Sequence, residues 1–431
     1  MHNDGERFLK PKRQLLLRSL CALGSAWPVA PLLAALFFAS YASASPTTII
    51  SNGPNSNRVN IVFLGDGYTA GEINTTYPSH IVAMTNHMFN PPAGIISRDP
   101  YPRYEHFFNV HRVNVVSNQT GADVAPENIF RDTALDATYF YDGSTERQLY
   151  INDNKANAAL NSALVDAGFT ADIKLVTVND SRYGGAGGTY AVYAGGNLNA
   201  TEVALHEMGH TFNGLADEYG GFTLPYGGAE PREINVTKDP SGAKWASWKG
   251  YTQAGIGVIA AYEGARYYDN GLYRPSQNSK MRNLGQPFDA IAREKIILDI
   301  YALVDPLDAH LSNIVPLVDP PDLWVDTIDP HVIDVEWFVN GAKVPGARGE
   351  HFRLLDYGFG PGVFSVNAHA YDPMGFDPVE GWVRRNQDQL EQTVTWTVTQ
   401  TVPEPATVVL ATVGLLFFLV ISHQSRSSFR S

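Results

Sequence analysis

The sequence predicts an α/β domain followed by a small all-β, sandwich-like domain, and three observations carry that prediction. Strand-like apolar runs alternate with helix-periodic segments as far as about Val304. After "DPLDAHLSNIVPLVDPPD" the pattern changes to short segments that alternate with period two. Each end of the chain carries an apolar stretch beside basic residues, unlike anything between them. The 431 residues are 44% hydrophobic and 17% charged, a globular composition that excludes a disordered chain or a coiled coil. With 31 basic and 44 acidic residues the formal charge is −13, which repels phosphate backbones and argues against nucleic acid as a partner. Cys21 is the single cysteine, so an intrachain disulfide and a Cys-rich metal site are both excluded.

In order along the chain, "RVNIVFLGDGYTA" holds an apolar run, Val59 to Leu64, bounded by Gly65 and Gly67, and reads as a buried strand and turn. A helix is expected from about Ala70 to Met88, then a strand in "FFNVHRVNVV". "RQLYINDNKANAALNSALVDAG" reads as a helix ending at Gly168, and "DIKLVTVND" as a third strand. "GGTYAVYAGG" is read as an edge strand, Thr189 to Tyr193, and a helix follows from near Asn199 or Thr201. "DAIAREKIILDIYALV" is a strongly periodic helix that closes the first domain. In the second, "VIDVEWFVNGAKV" is a hairpin around Asn340-Gly341, and "GVFSVNAHAYD" and "LEQTVTWTVTQT" are strands.

The two ends read as addresses. Arg7, Lys10, Lys12, Arg13 and Arg18 precede an apolar stretch from about Leu20 to Phe38, and "ASYASAS" follows with Ala42 and Ala44 placed for cleavage. That order is a secretory signal peptide, residues 1–44, and implies export to the cell envelope or beyond. At the other end, Ala406 to Ile421 is an apolar run of 16 residues with Arg426 and Arg430 after it. Pro403-Glu404-Pro405 stands directly before that run, and the whole segment, residues 402–431, resembles a PEP-CTERM sorting signal. The resemblance implies transient membrane anchoring by the tail and its removal by an exosortase-type enzyme. Between the two ends, 24 basic and 41 acidic residues remain, a net charge of −17 that suits solubility outside the cell.

One segment carries chemistry. In "TEVALHEMGHTFNGLADEYGG" His206 and His210 stand four apart, so on a helix both imidazoles project from one face toward one Zn²⁺. Glu207 lies beside them, placed to take a proton from an attacking water. A third ligand is needed. Gly214 can end the helix in a left-handed turn, after which Asp217 and Glu218 can both return toward the metal.

"HEMGHTFNGLADEY", together with "VFLGDGYTA", "FNVHRVNVVSNQTGAD", "NDSRYGGAGG" and "YEGARYYDNGLYRP", resembles the IgA-peptidase-type secreted zinc metallopeptidases. The resemblance runs from about Asn57 to Thr401. It implies a metzincin-like catalytic domain over 45–310, a β-sandwich-like domain over 311–401, one zinc ion and a protein or peptide substrate. Measured against the metzincin pattern, Gly214 lies one residue later than usual, four after His210, so Asp217 is favoured as third ligand with Glu218 as the alternative. Met281 sits where a methionine turn would lie beneath the metal, with core packing as the other reading. Relatives often carry Cys near "NSKMRNLGQPFDAI", and this chain has none there.

The expected activity is therefore that of an exported zinc endopeptidase with Glu207 as general base. The rival is a non-catalytic envelope or matrix protein that keeps the fold for binding. A further reading places binding of carbohydrate or surfaces in the β-domain. "YGGAGG" (183–188) lacks the Lys-Ser/Thr of a phosphate loop, and its glycines let backbone approach backbone beside an edge strand that can pair with an extended peptide. Asp66 reads as a turn residue, and Tyr267, Tyr268 and Tyr273 are candidates to stabilise an oxyanion.

Overall fold

The strand Val59–Asp66 is buried at every position and forms the centre of the fold. The computed structural model describes residues 45–377 and 379–402, so the signal peptide and residues 403–431 of the sorting tail lie outside the described residues. The central sheet has six strands: β1 (Thr47–Ile50), β2 (Val59–Asp66), β3 (Phe108–Val113), β4 (Ile173–Val178), β5 (Gly185–Ala186) and β6 (Ala191–Ala194). Their order is β1-β3-β2-β4-β6-β5, parallel in the middle and antiparallel at both edges. Parallel strands must be covered on both faces, which is why β2 is apolar without alternation. Ile61 and Phe63 join one buried cluster, and Val62 and Leu64 the other.

Four helices supply that cover: α1 (Thr76–Phe89), α2 (Asp153–Leu164), α3 (Ala200–Thr211) and α4 (Ala290–Tyr301). Ile81 of α1, Leu205 of α3 and Ile297 of α4 share the cluster of Ile61, whereas Leu160 of α2 shares that of Val62. The alternation of strand and helix thus builds the α/β architecture that the sequence predicts. α1 begins later than the periodicity predicts, because residues 70–75 form turns. α2 is shorter than expected. The Asn152 side chain accepts from the N–H groups of Asn154 and Lys155 and caps the helix. The residues before it are drawn into extended pairing, Tyr150 with Thr138 and Gln148 with Gly185.

The edge strand is also displaced from its expected position. β6, predicted as the edge, pairs with β4 on one side and β5 on the other, so the glycine segment itself forms the border of the sheet. After α3 come two short hairpins, β7 (Thr252–Gln253) with β8 (Gly257–Val258), and β9 (Tyr262–Ala265) with β10 (Tyr268–Arg274).

Beyond α4 the regular elements among the described residues are strands and single-turn 3-10 helices. β11 (Leu307–His310), β13 (Leu323–Thr327) and β16 (His351–Phe352) form one sheet. β12 (Leu317–Val318), β14 (Asp334–Val339), β15 (Ala342–Arg348), β17 (Gly362–Tyr371) and β18 (Glu391–Gln400) form another. Asn340 and Gly341, at φ 51° and 80°, make the left-handed turn between β14 and β15 that this dipeptide predicts. Trp337 stacks on Trp396 at 5.7 Å and on Phe352 of the smaller sheet at 5.0 Å. The cluster containing Ile61 continues through Val325 and Trp337 to Val398 without interruption. Two buried carboxylates reinforce the junction. Asp372 accepts from Arg103 Nη2 at 2.8 Å, Tyr104 OH at 2.6 Å and Tyr301 OH at 3.1 Å. Glu294 accepts from Trp248 Nε1 at 3.0 Å and from the N–H groups of Arg384 and Arg385 at 2.7 and 3.0 Å. Among the described residues no helix is long and apolar enough to cross a membrane.

Candidate metal centre

α3 presents His206 and His210 one turn apart, with ring centroids separated by 4.8 Å and planes at 85°. Each Nδ1 faces a backbone carbonyl, Lys280 O at 3.0 Å for His206 and Leu215 O at 2.7 Å for His210. A carbonyl only accepts, so each Nδ1 carries the proton and each Nε2 keeps its lone pair. The two Nε2 atoms lie 3.1 Å apart, and Asp217 Oδ1 lies 3.1 Å from one and 3.3 Å from the other. Three electron-pair donors aimed at one point repel unless a cation stands among them. This His-His-Asp donor set, with all three atoms within 4.8 Å of one another, fits a zinc ion.

The chain that brings Asp217 there follows from the end of α3. Gly214 adopts φ +60°, its N–H bonds His210 O at 3.1 Å, and the Leu215 N–H reaches back to Gly209 O at 2.9 Å. The chain turns under the helix, which places the Leu215 carbonyl on His210 and the Asp217 carboxylate on both rings. Tyr267 OH donates to Asp217 Oδ2, which leaves Oδ1 for the metal. Tyr267 and Arg266 form the two-residue turn of the β9–β10 hairpin at φ 69° and 51°, a conformation strained for residues other than glycine. The turn is held against the segment that follows α3 by Arg266 N–H to Asp217 O and Tyr267 N–H to Tyr219 O, both 2.9 Å. Of the three tyrosines singled out, only Tyr267 reaches the centre. Tyr268 packs on Phe222 and Tyr226, and the backbone of Tyr273 pairs with Thr237.

Glu218 points elsewhere. It is fully buried, and its oxygens accept from Asn235 Nδ2 at 2.9 Å and Ser279 Oγ at 2.6 Å. Burial, together with the nearby Asp289 carboxylate, pushes its carboxyl well above the usual range. Glu207 is 7% exposed and lines the cleft; its backbone carbonyl accepts from Thr211 Oγ1 at 3.1 Å, but its carboxylate accepts no hydrogen bond from any described residue. Burial raises its pKa, and the two imidazoles and Arg147 oppose the rise. Burial lowers His210, but Asp217 and Glu207 outweigh it and lift the imidazole to about 9. Asp217 is held below the usual carboxylate range because the hydrogen bonds and charges of both rings outweigh its desolvation. Without a cation, protons fill the same demand for positive charge.

The cleft around these groups encloses about 600 Å³. β5 forms its upper rim. A Cβ on Gly185 would lie 2.4 Å from Val203 Cγ1 and 3.1 Å from Glu207 Oε1, and one on Gly187 would lie 2.6 Å from His210 Cβ. The glycines therefore bring the edge of the sheet onto α3, a closer role than the backbone spacing read from the sequence. Met281 is buried, with its sulfur 2.7 Å from where a Cβ on Gly209 would stand, so it packs directly beneath the helix. Asp66 is no simple turn residue. It is buried and accepts from Leu135 N and Ala137 N at 2.9 Å and Thr133 Oγ1 at 3.0 Å, organising the loop before α2. Arg147, Tyr219 and the supporting carbonyls of Lys280 and Leu215 were not found by sequence reasoning. A carbonyl has no residue signature, and Arg147 was placed in a helix.

Residues 47–256 match the model of a family described as IgA Peptidase M64, and no curated protein matches the chain. The matched segment contains β5, α3, Glu207 and the three converging donors. Over that segment the chain is similar to the IgA peptidase M64 family, which supports its reading as a peptidase of that type, with protein substrates.

Proposed function

We propose that the chain is an exported zinc-dependent endopeptidase in which His206, His210 and Asp217 hold one metal ion and Glu207 is the general base. The observation that carries this reading is the convergence of two imidazole Nε2 atoms and one carboxylate oxygen beside a buried carboxylate that has no hydrogen-bond partner among the described residues. A bound zinc ion supplies Lewis acidity, lowering the pKa of a water to about 7 and polarising the scissile carbonyl. Glu207 takes the proton of the attacking water and returns it to the leaving amine. Its burial favours the protonated carboxyl and so suits it to both halves of that transfer. β5, Gly185–Ala186, is the border of the sheet along which an extended peptide would pair. The signal at residues 1–44 supports export, and the Pro403-Glu404-Pro405 tail supports sorting by an exosortase-type enzyme.

The deciding measurement is zinc content and casein cleavage for residues 45–401, wild type against Glu207→Gln. The variant keeps the side-chain shape but cannot accept the proton. One zinc per chain should remain, while turnover falls by about 10²- to 10⁴-fold. Equal turnover would make Glu207 structural. A binding protein that merely retains the fold would hold zinc and cleave nothing in either form.

A further inference from the structure

Every other ionised group lining the cleft has an assigned partner or role. Asp142 is consumed by its own turn, accepting from the N–H groups of Ser144 and Thr145 at 2.8 and 2.7 Å. Glu233 faces Arg266 at 3.4 Å. Asp217 is shared by the two histidines and Tyr267, and Glu207 is the proposed base. Arg147 remains: among the described residues it forms no ion pair, and its one hydrogen bond runs from Nη2 to Tyr219 OH at 3.2 Å.

That guanidinium is nonetheless held in place. Its Cζ lies 5.9 Å from the centroid of the Tyr219 ring. Tyr219 meets Tyr267 edge-on at 5.3 Å, and Tyr267 bonds Asp217. On the backbone side, Arg147 O accepts the outward N–H of Gly185 at 3.1 Å, so this segment caps the starting end of β5. An extended peptide pairing with the rim therefore runs out of free edge beside Arg147. An arginine has five N–H donors, and a planar fork with one donor committed can still bind a carboxylate through two parallel bonds.

We propose that Arg147 determines specificity by binding a carboxylate of the peptide substrate close to the scissile bond, either an acidic side chain or the C-terminal carboxylate. The proposal rests on the peptidase reading and names its substrate class. A neutral isostere leaves the guanidinium without a partner, and a basic one meets it directly.

The test uses the zinc-loaded full chain and peptides in which Glu is exchanged for Gln at each position around the cleaved bond. The same peptides are compared with a free and an amidated C-terminus. Wild type should prefer the carboxylate by about 10- to 100-fold in kcat/KM. Preference at one internal position identifies a side chain, and preference for the free terminus identifies the C-terminal carboxylate. In Arg147→Met the ratio should collapse to within about 2-fold, mainly through KM, as expected for lost substrate binding. Arg147→Glu should turn the preference toward Lys at that position. A wild type indifferent to the carboxylate, or a preference that survives Arg147→Met, would overturn the proposal. If no peptide is cleaved at all, the peptidase reading fails separately, and fluorescence anisotropy of the same labelled peptides decides. Arg147-dependent binding of the carboxylate form would uphold the site, and its absence would overturn it.

Discussion

Gly187 stands so close to α3 that even a methyl group there would press on His210. In Gly187→Ala either the rim or the imidazole must move, and His210 is fixed from behind by Leu215 O. The expected outcome is a zinc affinity weaker by about 10- to 100-fold, the range for disturbed ligand support, with a smaller change in melting temperature. Competition with a chromophoric chelator measures the first and calorimetry the second. Neighbouring acids provide a sharper contrast. Asp217→Ala should lose stoichiometric zinc, because two imidazoles alone make a weak site. Glu218→Gln should keep it, since burial already favours the neutral carboxyl that Gln imitates. Reversed metal contents would place Glu218 at the metal.

At the scale of elements, α3 works together with the segment around Lys280. Lys280 O orients His206, while the buried Lys280 ammonium pairs with Glu202 in the first turn of α3. Glu202 also accepts from Gly285 N–H at 3.0 Å and faces His87 at 2.9 Å. Burial alone would raise Glu202, but His87, Lys280 and this N–H hold its carboxyl at about 2, below an ordinary 4.5. A folded-state pKa lowered in this way contributes stability that is present above pH 4.5 and is lost as pH falls toward 2. The contribution is roughly 3 kcal/mol. Glu202→Gln should therefore flatten the stability curve over that window, measured by urea unfolding at fixed pH steps.

The same pairing shows what the sequence could convey. Two histidines four apart on a helical segment, with Glu207 between them and Gly214 after them, specify a face and a turn, and those were legible. β2 was legible because a strand covered on both faces must be apolar throughout. The ladder partner of His206 was not, since Lys280 contributes a carbonyl 74 residues away. Nor was the β9–β10 turn: Arg266 and Tyr267 occupy left-handed positions that normally announce themselves as Asn or Gly. Their conformation is imposed by the pairing with Asp217 and Tyr219. The start of α2 was misplaced because helix periodicity runs back through Arg147, whereas pairing with Gly185 and Thr138 claims those residues for extended structure.

At the scale of the molecule, the change of pattern near residue 311 marks a change of secondary structure, and the buried cluster runs across it. The strands beyond α4 share apolar contacts and two buried carboxylates with the catalytic half, so the two should unfold together. Asp372→Ala removes the acceptor for Arg103, Tyr104 and Tyr301 at once. Leaving such donors buried and unmatched costs about 3–5 kcal/mol. One cooperative transition shifted to lower denaturant is expected, seen equally by fluorescence and circular dichroism, and two separate transitions would show the halves to be independent. The border of the central sheet has a consequence of another kind. An open β edge is a template for any extended chain, including another copy of the same protein. Here the ladder is two residues long, its first N–H is already taken by Arg147, and its remaining backbone lies recessed against a helix. A single flexible strand can enter such a slot, but the rigid flank of a neighbouring sheet cannot, so the opening proposed for a substrate is too short to seed a polymer.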